Sequence, residues 1–322
     1  MLLIGNAFSR ALRVMVMVAS SAVAVSAWAT DIVKMVVPFS AGGPSDQIAR
    51  IVAPGLSDAL GKTVVVENRG GAGGTVGAGY VAHAKPDGGT ILLTTSSLVL
   101  SAGTTSTLPY DPRNDLEPVY LLGEVQTMLA VRPDLGVNTL QELVDKAKGP
   151  KQLNYGSTGV GGTMHVGAEL FARTAHVPLV HVPYRGAAPA LVALMAGNVD
   201  LVNADVPVLK PYIQDGRIKG LVIFDTKRSA LLPDIPTANE VGMPELQMSN
   251  WYGVLVPKGF PEDQRDALER GLADTLKRPD VAKKLAEAGF TNPQGTAEFK
   301  ARLNADFDRW VPWLKAAGIR RE

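Results

Sequence analysis

The chain contains no cysteine, which excludes disulfide scaffolds, thiolate zinc sites, iron–sulfur clusters and thiol nucleophiles. That absence is compatible with an oxidising compartment without requiring one. Neither sign of charge predominates, with 32 Lys and Arg against 31 Asp and Glu. Such a balance gives no electrostatic footing for nucleic-acid binding or a polybasic membrane anchor. Beyond residue 29 no stretch approaches the ~20 apolar residues that a spanning helix needs, so the mature chain is expected to be soluble. Aromatics are few, at 6%, while 46% of the 322 residues are hydrophobic. The composition is that of a globular protein, too apolar for a disordered tail and long enough for two domains.

The first thirty residues carry an address. Arg10 and Arg13 precede the apolar run 14–25, and Ser26-Ala-Trp-Ala29 supplies small residues at −3 and −1 of a cut after Ala29. Basic flank, apolar run and small-residue site together predict a cleaved secretory signal peptide, residues 1–29. The run is too short to cross ~30 Å of hydrocarbon at 1.5 Å per residue. Two residues separate the arginines, so the leader is not of the twin-arginine type.

The remainder alternates strand and helix patterns. Strands are expected at 33–39, 63–68, 90–96, 119–123, 128–132, 152–157, 179–184, 199–205, 220–225 and 252–257. Several are unbroken apolar runs, such as Val64-Val-Val66 and Leu221-Val-Ile-Phe224, which suit sheets covered on both faces. Amphipathic helices are expected at 46–60, 140–148, 164–174, 189–197, 262–277, 280–288 and 297–317. This rhythm predicts an α/β fold with largely parallel sheets. Roughly 290 residues exceed what one core serves, so two domains are expected. No linker separates them; the chain should cross between them more than once, near 123–127 and 250–253. The Gly- and Pro-rich stretches, 70–79 among them, read as turns.

Three strand-to-helix turns could hold a ligand. In Val36-Val-Pro-Phe-Ser-Ala-Gly-Gly-Pro-Ser-Asp46 a small-residue turn delivers backbone N–H groups to a helix N-terminus, where the dipole favours an anion. Gly42 and Gly43 lack Cβ, so a carboxylate could come close. The plainer reading makes Ser45 or Asp46 a helix cap and pairs Asp46 with Arg50, which leaves the glycines unexplained. Asn154-Tyr-Gly-Ser-Thr-Gly-Val-Gly-Gly-Thr-Met-His165 repeats the design, with hydroxyls at Ser157, Thr158 and Thr163. Tyr184-Arg-Gly-Ala-Ala-Pro189 is the third, where Arg185 is either a carboxylate clamp or a solvated charge.

Other chemistries lack their motifs. Gly71-x-Gly73-x-x-x-Gly77 misses dinucleotide spacing, and Gly55 with Gly61-Lys-Thr63 misses the phosphate-loop spacing by one residue. Gly-x-Ser-x-Gly and His-Glu-x-x-His do not occur. Of the four histidines, His176 and His181 read as structural, and His165 sits at a helix start beside the second turn. No nucleophile–base pair emerges, so no cofactor, metal or catalytic residue is expected.

The motifs Pro38-Phe-x-Ala-Gly-Gly-x-x-Asp-x-x-Ala-Arg50, Val64-Val-Val-Glu-Asn-Arg-x-Gly-Ala-Gly-Gly74, Pro86-Asp-Gly88, Leu108-Pro-Tyr-Asp-Pro112, His181-Val-Pro-Tyr-Arg-Gly-x-x-Pro-Ala190, Leu232-Pro-Asp-Ile-Pro-Thr237 and Trp251-Tyr-Gly253 occur in this order. Together they strongly resemble the Bug family, the extracytoplasmic solute receptors of tripartite tricarboxylate transporters, over essentially the whole mature chain. The resemblance implies a two-lobed periplasmic-binding-protein fold of type II, each lobe a mostly parallel sheet flanked by helices. Residues 30–124 and 251–322 would form one lobe and 125–250 the other. It implies a monomer that closes on a small organic carboxylate and docks on a membrane permease of one large and one small subunit. In the family the first glycine turn holds a carboxylate through main-chain N–H groups and ordered waters, here Phe39, Ala41, Gly42, Gly43 and Asp46. Thr95 and Ser96 would line the first lobe, and Ser157, Thr158, Gly162, Thr163 and His165 the second. Tyr184, Arg185, Gly186, Ala187 and Ala188 would complete the site.

Where many members read Phe-Asp-Asn, this chain reads Asn203-Ala-Asp205. Ala204 takes the acidic position and a carboxylate follows at Asp205. A one-residue shift on a strand reverses side-chain direction, which favours a ligand without an amino group, a dicarboxylate or an aromatic acid. The competing class is an exported α/β enzyme acting on a small carboxylate; a secreted structural protein is a third.

Overall fold

The computed structural model describes residues 32–320; the expected leader and its cut lie outside the described residues. The first sheet opens with three parallel strands, β1 (Ile32–Val37), β2 (Thr63–Asn68) and β3 (Thr90–Thr95), in the order β2-β1-β3. Two antiparallel strands, β4 (Leu116–Val131) and β9 (Ser249–Pro257), continue it. The second sheet contains β5 (Leu153–Ser157), β6 (Leu179–Pro183), β7 (Leu201–Asp205) and β8 (Lys219–Ile223). Its parallel run β6-β5-β7 joins β4 antiparallel, with β8 on the other side of β4. Two α/β lobes therefore share β4: residues up to Gln126 pair with β9, and Thr127 to Val131 pair with β7.

Helices cover both faces: α1 (Pro44–Leu60), α2 (Thr75–Ala82), α3 (Ser97–Thr104), α4 (Leu140–Ala147), α5 (Thr163–Thr174), α6 (Ala187–Met195), α7 (Val206–Gln214), α8 (Glu262–Lys277), α9 (Pro279–Glu287) and α10 (Thr296–Ala316). Val33, Met35 and Val37 of β1 pack with Ile48, Val52 and Leu56 of α1 and with Leu268 and Leu272 of α8. The opposite face of the sheet, with Val36 and Leu92, belongs to a core that runs on through Leu129, Tyr155 and Phe171 of the second lobe. Burying each such Val or Leu is worth roughly 1.5–3 kcal/mol. One apolar core thus links the lobes where the strands are shared.

The structure corrects four local expectations. The strands expected at 119–123 and 128–132 are one 16-residue strand, β4. Gly123, at φ 147, lets it bend without breaking, and its register against β9 shifts twice ahead of that glycine, between Pro118 and Tyr120 and between Leu121 and Gly123. The stretch 70–79 is not merely a turn: a short 3₁₀ turn, Ala72–Gly74, leads into α2. Here glycine serves close packing, since a Cβ on Gly77 would lie 2.8 Å from Pro38 and the Arg69 carbonyl. Nor were α3 and α7 expected. Seven residues of α3 are buried, so it has no polar face to give a helical period; α7 carries two prolines, Pro207 in its first turn and Pro211 inside it. Gly55 lies in α1, where a Cβ would sit 2.7 Å from Thr275 of α8, a packing role that disposes of the phosphate-loop look-alike.

Candidate functional site

In each lobe the parallel strands end on the side that faces the shared strands. Thr95 at the end of β3 pairs with Tyr252, and Asp205 at the end of β7 pairs with Thr127. Loops leaving the carboxyl ends of β1, β3, β5, β6 and β7 each run directly into a helix, so several helix N-termini gather there. In open α/β sheets this edge is where ligands bind.

The first turn is held from within. Gly42 adopts φ +79, a left-handed conformation that glycine tolerates best. Its N–H donates to Asp46 Oδ2 at 2.9 Å, and Arg50 Nε donates to both oxygens of the same carboxylate at 3.0 and 3.1 Å. Arg50, foremost, holds the Asp46 carboxyl below its usual range. The Asp46 side chain is thus committed to the turn itself. What the turn presents is backbone: the N–H groups of Ser45 and Asp46, in the first turn of α1, meet no acceptor among the described residues. Asn68 Nδ2 donates to the Phe39 carbonyl at 3.2 Å and fixes the loop from behind.

The second turn is filled by its own side chains. Ser157 Oγ accepts the Gly159 N–H at 3.0 Å and lies 2.5 Å from His181 Nε2. His165 Nδ1 accepts the Gly161 N–H at 3.3 Å, which places the proton of the neutral ring on Nε2. His165 is pushed down to about 3, by burial and then by its neighbour His181; burial also lowers His181. The two rings stand 4.3 Å apart and stack beside Tyr155. Burial raises the Tyr155 phenol, which donates to Glu169 at 2.7 Å. This wall is aromatic and uncharged. Ser157 is fully buried, and no carboxylate bonds His181 among the described residues. Past the turn, the Thr163 and Met164 amides of α5 have no acceptor among the described residues.

The third turn is tied to the second, since the Tyr184 N–H donates to the Ser157 carbonyl at 2.8 Å. Gly186, at φ +149, turns the chain into α6, whose Ala187 and Ala188 amides likewise meet no acceptor among the described residues. Arg185 is exposed, with no acidic partner among the described residues.

Other expected residues point inward. Thr95 Oγ1 and Ser97 Oγ are 2.9 Å apart, and Ser96 Oγ donates to Asn250 Oδ1 at 2.8 Å. Asp205 is buried and accepts from Tyr252 Oη at 2.7 Å and Asn250 Nδ2 at 3.0 Å. Burial raises its carboxyl to about 6, opposed by those two hydrogen bonds.

Sequence reasoning passed over two features here. The 3₁₀ turn Ala72–Gly74 bridges the lobes: a Cβ on Gly74 would lie 3.4 Å from the Phe39 ring, and one on Gly73 would lie 3.2 Å from the Val160 carbonyl. On the other side a Cβ on Gly161 would collide with Thr104 of α3. The glycine-rich motif at 71–74 was the available signal. Asn203 is fully buried, lies against Gly167, and both its side-chain polar atoms lack a partner. Two surface grooves of 350 and 470 Å³ lie elsewhere, one beside Arg113 and Phe307 and one beside Arg173 and Trp313.

The family model described as the tripartite tricarboxylate transporter family receptor, TctC, matches residues 48–319. The chain belongs to this family. It is a TctC-family periplasmic solute-binding receptor, and no helix among the described residues is long and apolar enough to cross a membrane. The receptor is 33% identical over 292 residues to the protein BugT of Bordetella pertussis, covering 89% of this chain and 90% of that one. Rpa4515 of R. palustris, solved with adipate, superposes with a TM-score of 0.85 at 32% identity, covering 91% of the receptor and all of that chain. MatC from Rhodopseudomonas palustris, solved with bound malate, gives 0.83 at 30% identity, covering 88% and 98%. The two-lobed fold expected from the motifs is therefore the fold of these relatives.

Proposed function

We propose that the receptor captures a small organic carboxylate between its lobes and delivers it to a membrane permease of the tripartite tricarboxylate type, after export on a cleaved leader. The carrying observation is the set of helix N-termini at the converging strand ends, whose amides at Ser45, Asp46, Thr163, Met164, Ala187 and Ala188 have no acceptor among the described residues. Each such terminus carries a partial positive charge of about half a unit, so together they favour an anion over a neutral solute. Relatives solved with adipate and malate support the class. We place the lobe boundaries at 124/125 and 250/251, where β4 and β9 cross, and take the receptor to work as a monomer.

The ligand lacks an amino group. A carboxylate is the strongest partner for an ammonium, and both acids of the site are engaged, Asp46 by Arg50 and Gly42, Asp205 by Asn250 and Tyr252. Arg185 remains as a cation for a second carboxylate. The reading is that of a binding protein, not an enzyme.

Thermal unfolding against adipate, malate, benzoate, aspartate and glutamate tests both levels. Amine-free acids should raise Tm, by about 2.7 kcal/mol of stabilisation at 100 times Kd, and be recovered intact. Equal shifts with aspartate or glutamate would overturn the amine-free assignment. No response to any carboxylate would overturn the receptor reading, and turnover of a binding acid would favour the enzyme.

A further inference from the structure

The lobes are joined through β4 and β9, and a buried hydrogen-bond chain lies across that junction. Asp205 is the last residue of β7 in the second sheet; Ser96 follows β3 in the first. Between them stands Asn250 of β9, which donates from Nδ2 to both Asp205 oxygens at 3.0 and 3.2 Å and accepts from Ser96 Oγ at 2.8 Å. Tyr252, two residues along β9, donates its hydroxyl to Asp205 at 2.7 Å. The Ser96 N–H donates to the Trp251 carbonyl at 3.2 Å, fastening the first-lobe end a second time. Ser96, Asn250 and Asp205 are 4, 4 and 8% exposed, so water does not compete for these bonds.

The polarity of the chain is set at one end. A carboxylate only accepts, so it turns the Asn250 NH₂ toward itself and the amide oxygen toward Ser96. Without that acceptor the amide has no reason to prefer either orientation, and the Ser96 bond can run in either direction, since a hydroxyl both donates and accepts. The opposite face of β9 is held otherwise: Trp251 Nε1 donates to Asp306 at 2.8 Å, and Arg302 bonds Asp306, Glu124 and Ser249. Those contacts fasten α10 to β4 and β9 but do not touch β7.

We propose that Ser96, Asn250, Asp205 and Tyr252 form a latch that sets the resting angle between the lobes, with Asp205 as its positioning residue. The latch ties the ligand-facing edges of the two sheets through the strand about which they move, and it acts whether or not the ligand is a carboxylate. Removing the acceptor frees the second lobe to sample other angles, and a wider range of angles is what ligand-driven closure must then narrow.

The chain has no cysteine, so one label per lobe can be introduced cleanly at the exposed positions Lys85→Cys and Lys148→Cys. Double electron–electron resonance then reads the interlobe distance in ligand-free protein, independently of the carboxylate reading. Asp205→Asn leaves one acceptor oxygen for the Asn250 and Tyr252 donors and sets an NH₂ in place of the other; it should broaden the distribution and speed exchange of the Ser96 amide about tenfold. The exchanged pair, Asp205→Asn with Asn250→Asp, restores every donor to an acceptor in reversed order and should return the distribution to its original width. A distribution unchanged by Asp205→Asn, or one that the exchanged pair leaves broad, overturns the latch. If Asp205→Asn does not fold, Ser96→Ala decides: it removes only the far bond, should broaden the distribution to a lesser degree, and overturns the proposal if it does nothing.

Discussion

The two glycine turns have nearly the same residue types in the same strand-to-helix setting, yet they end in opposite conditions. In the first, a charged pair, Asp46 with Arg50, stiffens a loop whose backbone stays open: Ala41 and Gly42 are exposed, and a Cβ on Gly42 would meet nothing within 4 Å. In the second, neutral groups fill the loop, Ser157 and His165 capping the Gly159 and Gly161 amides, and Gly161 rests against the other lobe. The acids differ likewise. Asp46 has a cation and is held low, whereas Asp205 of the second lobe has only neutral donors and is held high. Glycine in the first turn therefore leaves the backbone exposed, and glycine in the second leaves room for Thr104 of the other lobe.

The sharpest way to break this contrast is Gly161→Val. The side chain would enter the space of Thr104 on a backbone at φ +81, holding the lobes apart. Carboxylate affinity by titration calorimetry should fall at least about 100-fold, ~2.7 kcal/mol; an unchanged affinity would remove the second turn from the lobe contact.

Next in size is the pH response of the two acids. Asp205 titrates at about 6 in the fold and from a reference value of 3.8, so its contribution to stability is fullest below the lower value and is lost as pH rises to the higher one. Asp46, held low, contributes the other way: its stabilisation is present above the reference value and fades as pH falls. His165, pushed down to about 3, works in the opposite sense over the same range. The Asp205 contribution is therefore read by denaturant titration as the difference in stability between parent and Asp205→Asn, which should fall by roughly 2–3 kcal/mol between pH 4 and pH 7. An identical slope in the variant would show that Asp205 is not the buried group.

Gly42→Val is a smaller perturbation, because it strains the backbone by ~1–2 kcal/mol and displaces the Asp46 cap without filling occupied space. Carboxylate affinity should drop at least about tenfold, ~1.4 kcal/mol, while the cooperative unfolding transition persists. Affinity equal to the parent would take the first turn out of the site. Smallest is Asn203→Leu. Replacing a buried amide that has no partner should raise stability by about 1 kcal/mol, and a simultaneous loss of carboxylate binding would make Asn203 a ligand contact. Destabilisation would instead point to an ordered water on the amide.

The βαβ rhythm was legible because buried parallel strands read as unbroken apolar runs and amphipathic helices keep their period. What escaped was structure without a period: α3 is buried on every side, and α2 is built of small residues that serve close approach. The division of β4 into two strands failed because a strand that bends at a glycine and changes sheets looks, residue by residue, like two. Within the site, the turns were visible from their glycines, but what their side chains do was not. Asp46 looked equally like a cap and a contact, and Ser96 was expected to line the first lobe, with nothing local to show that it donates to Asn250. His181 looked structural, and nothing local showed that parallel pairing of β5 with β6 would set it against Ser157.

The amino-acid order by itself determined the α/β class and the three turns that end strands and begin helices, because these follow from periodicity and from local backbone chemistry, and its ordered motifs carried the likeness to the family. Only the tertiary structure decided which polar groups were already satisfied. Hydrogen-bond partners such as Asp205 and Asn250, 45 positions apart in the chain, meet through sheet topology, and no local pattern encodes that meeting.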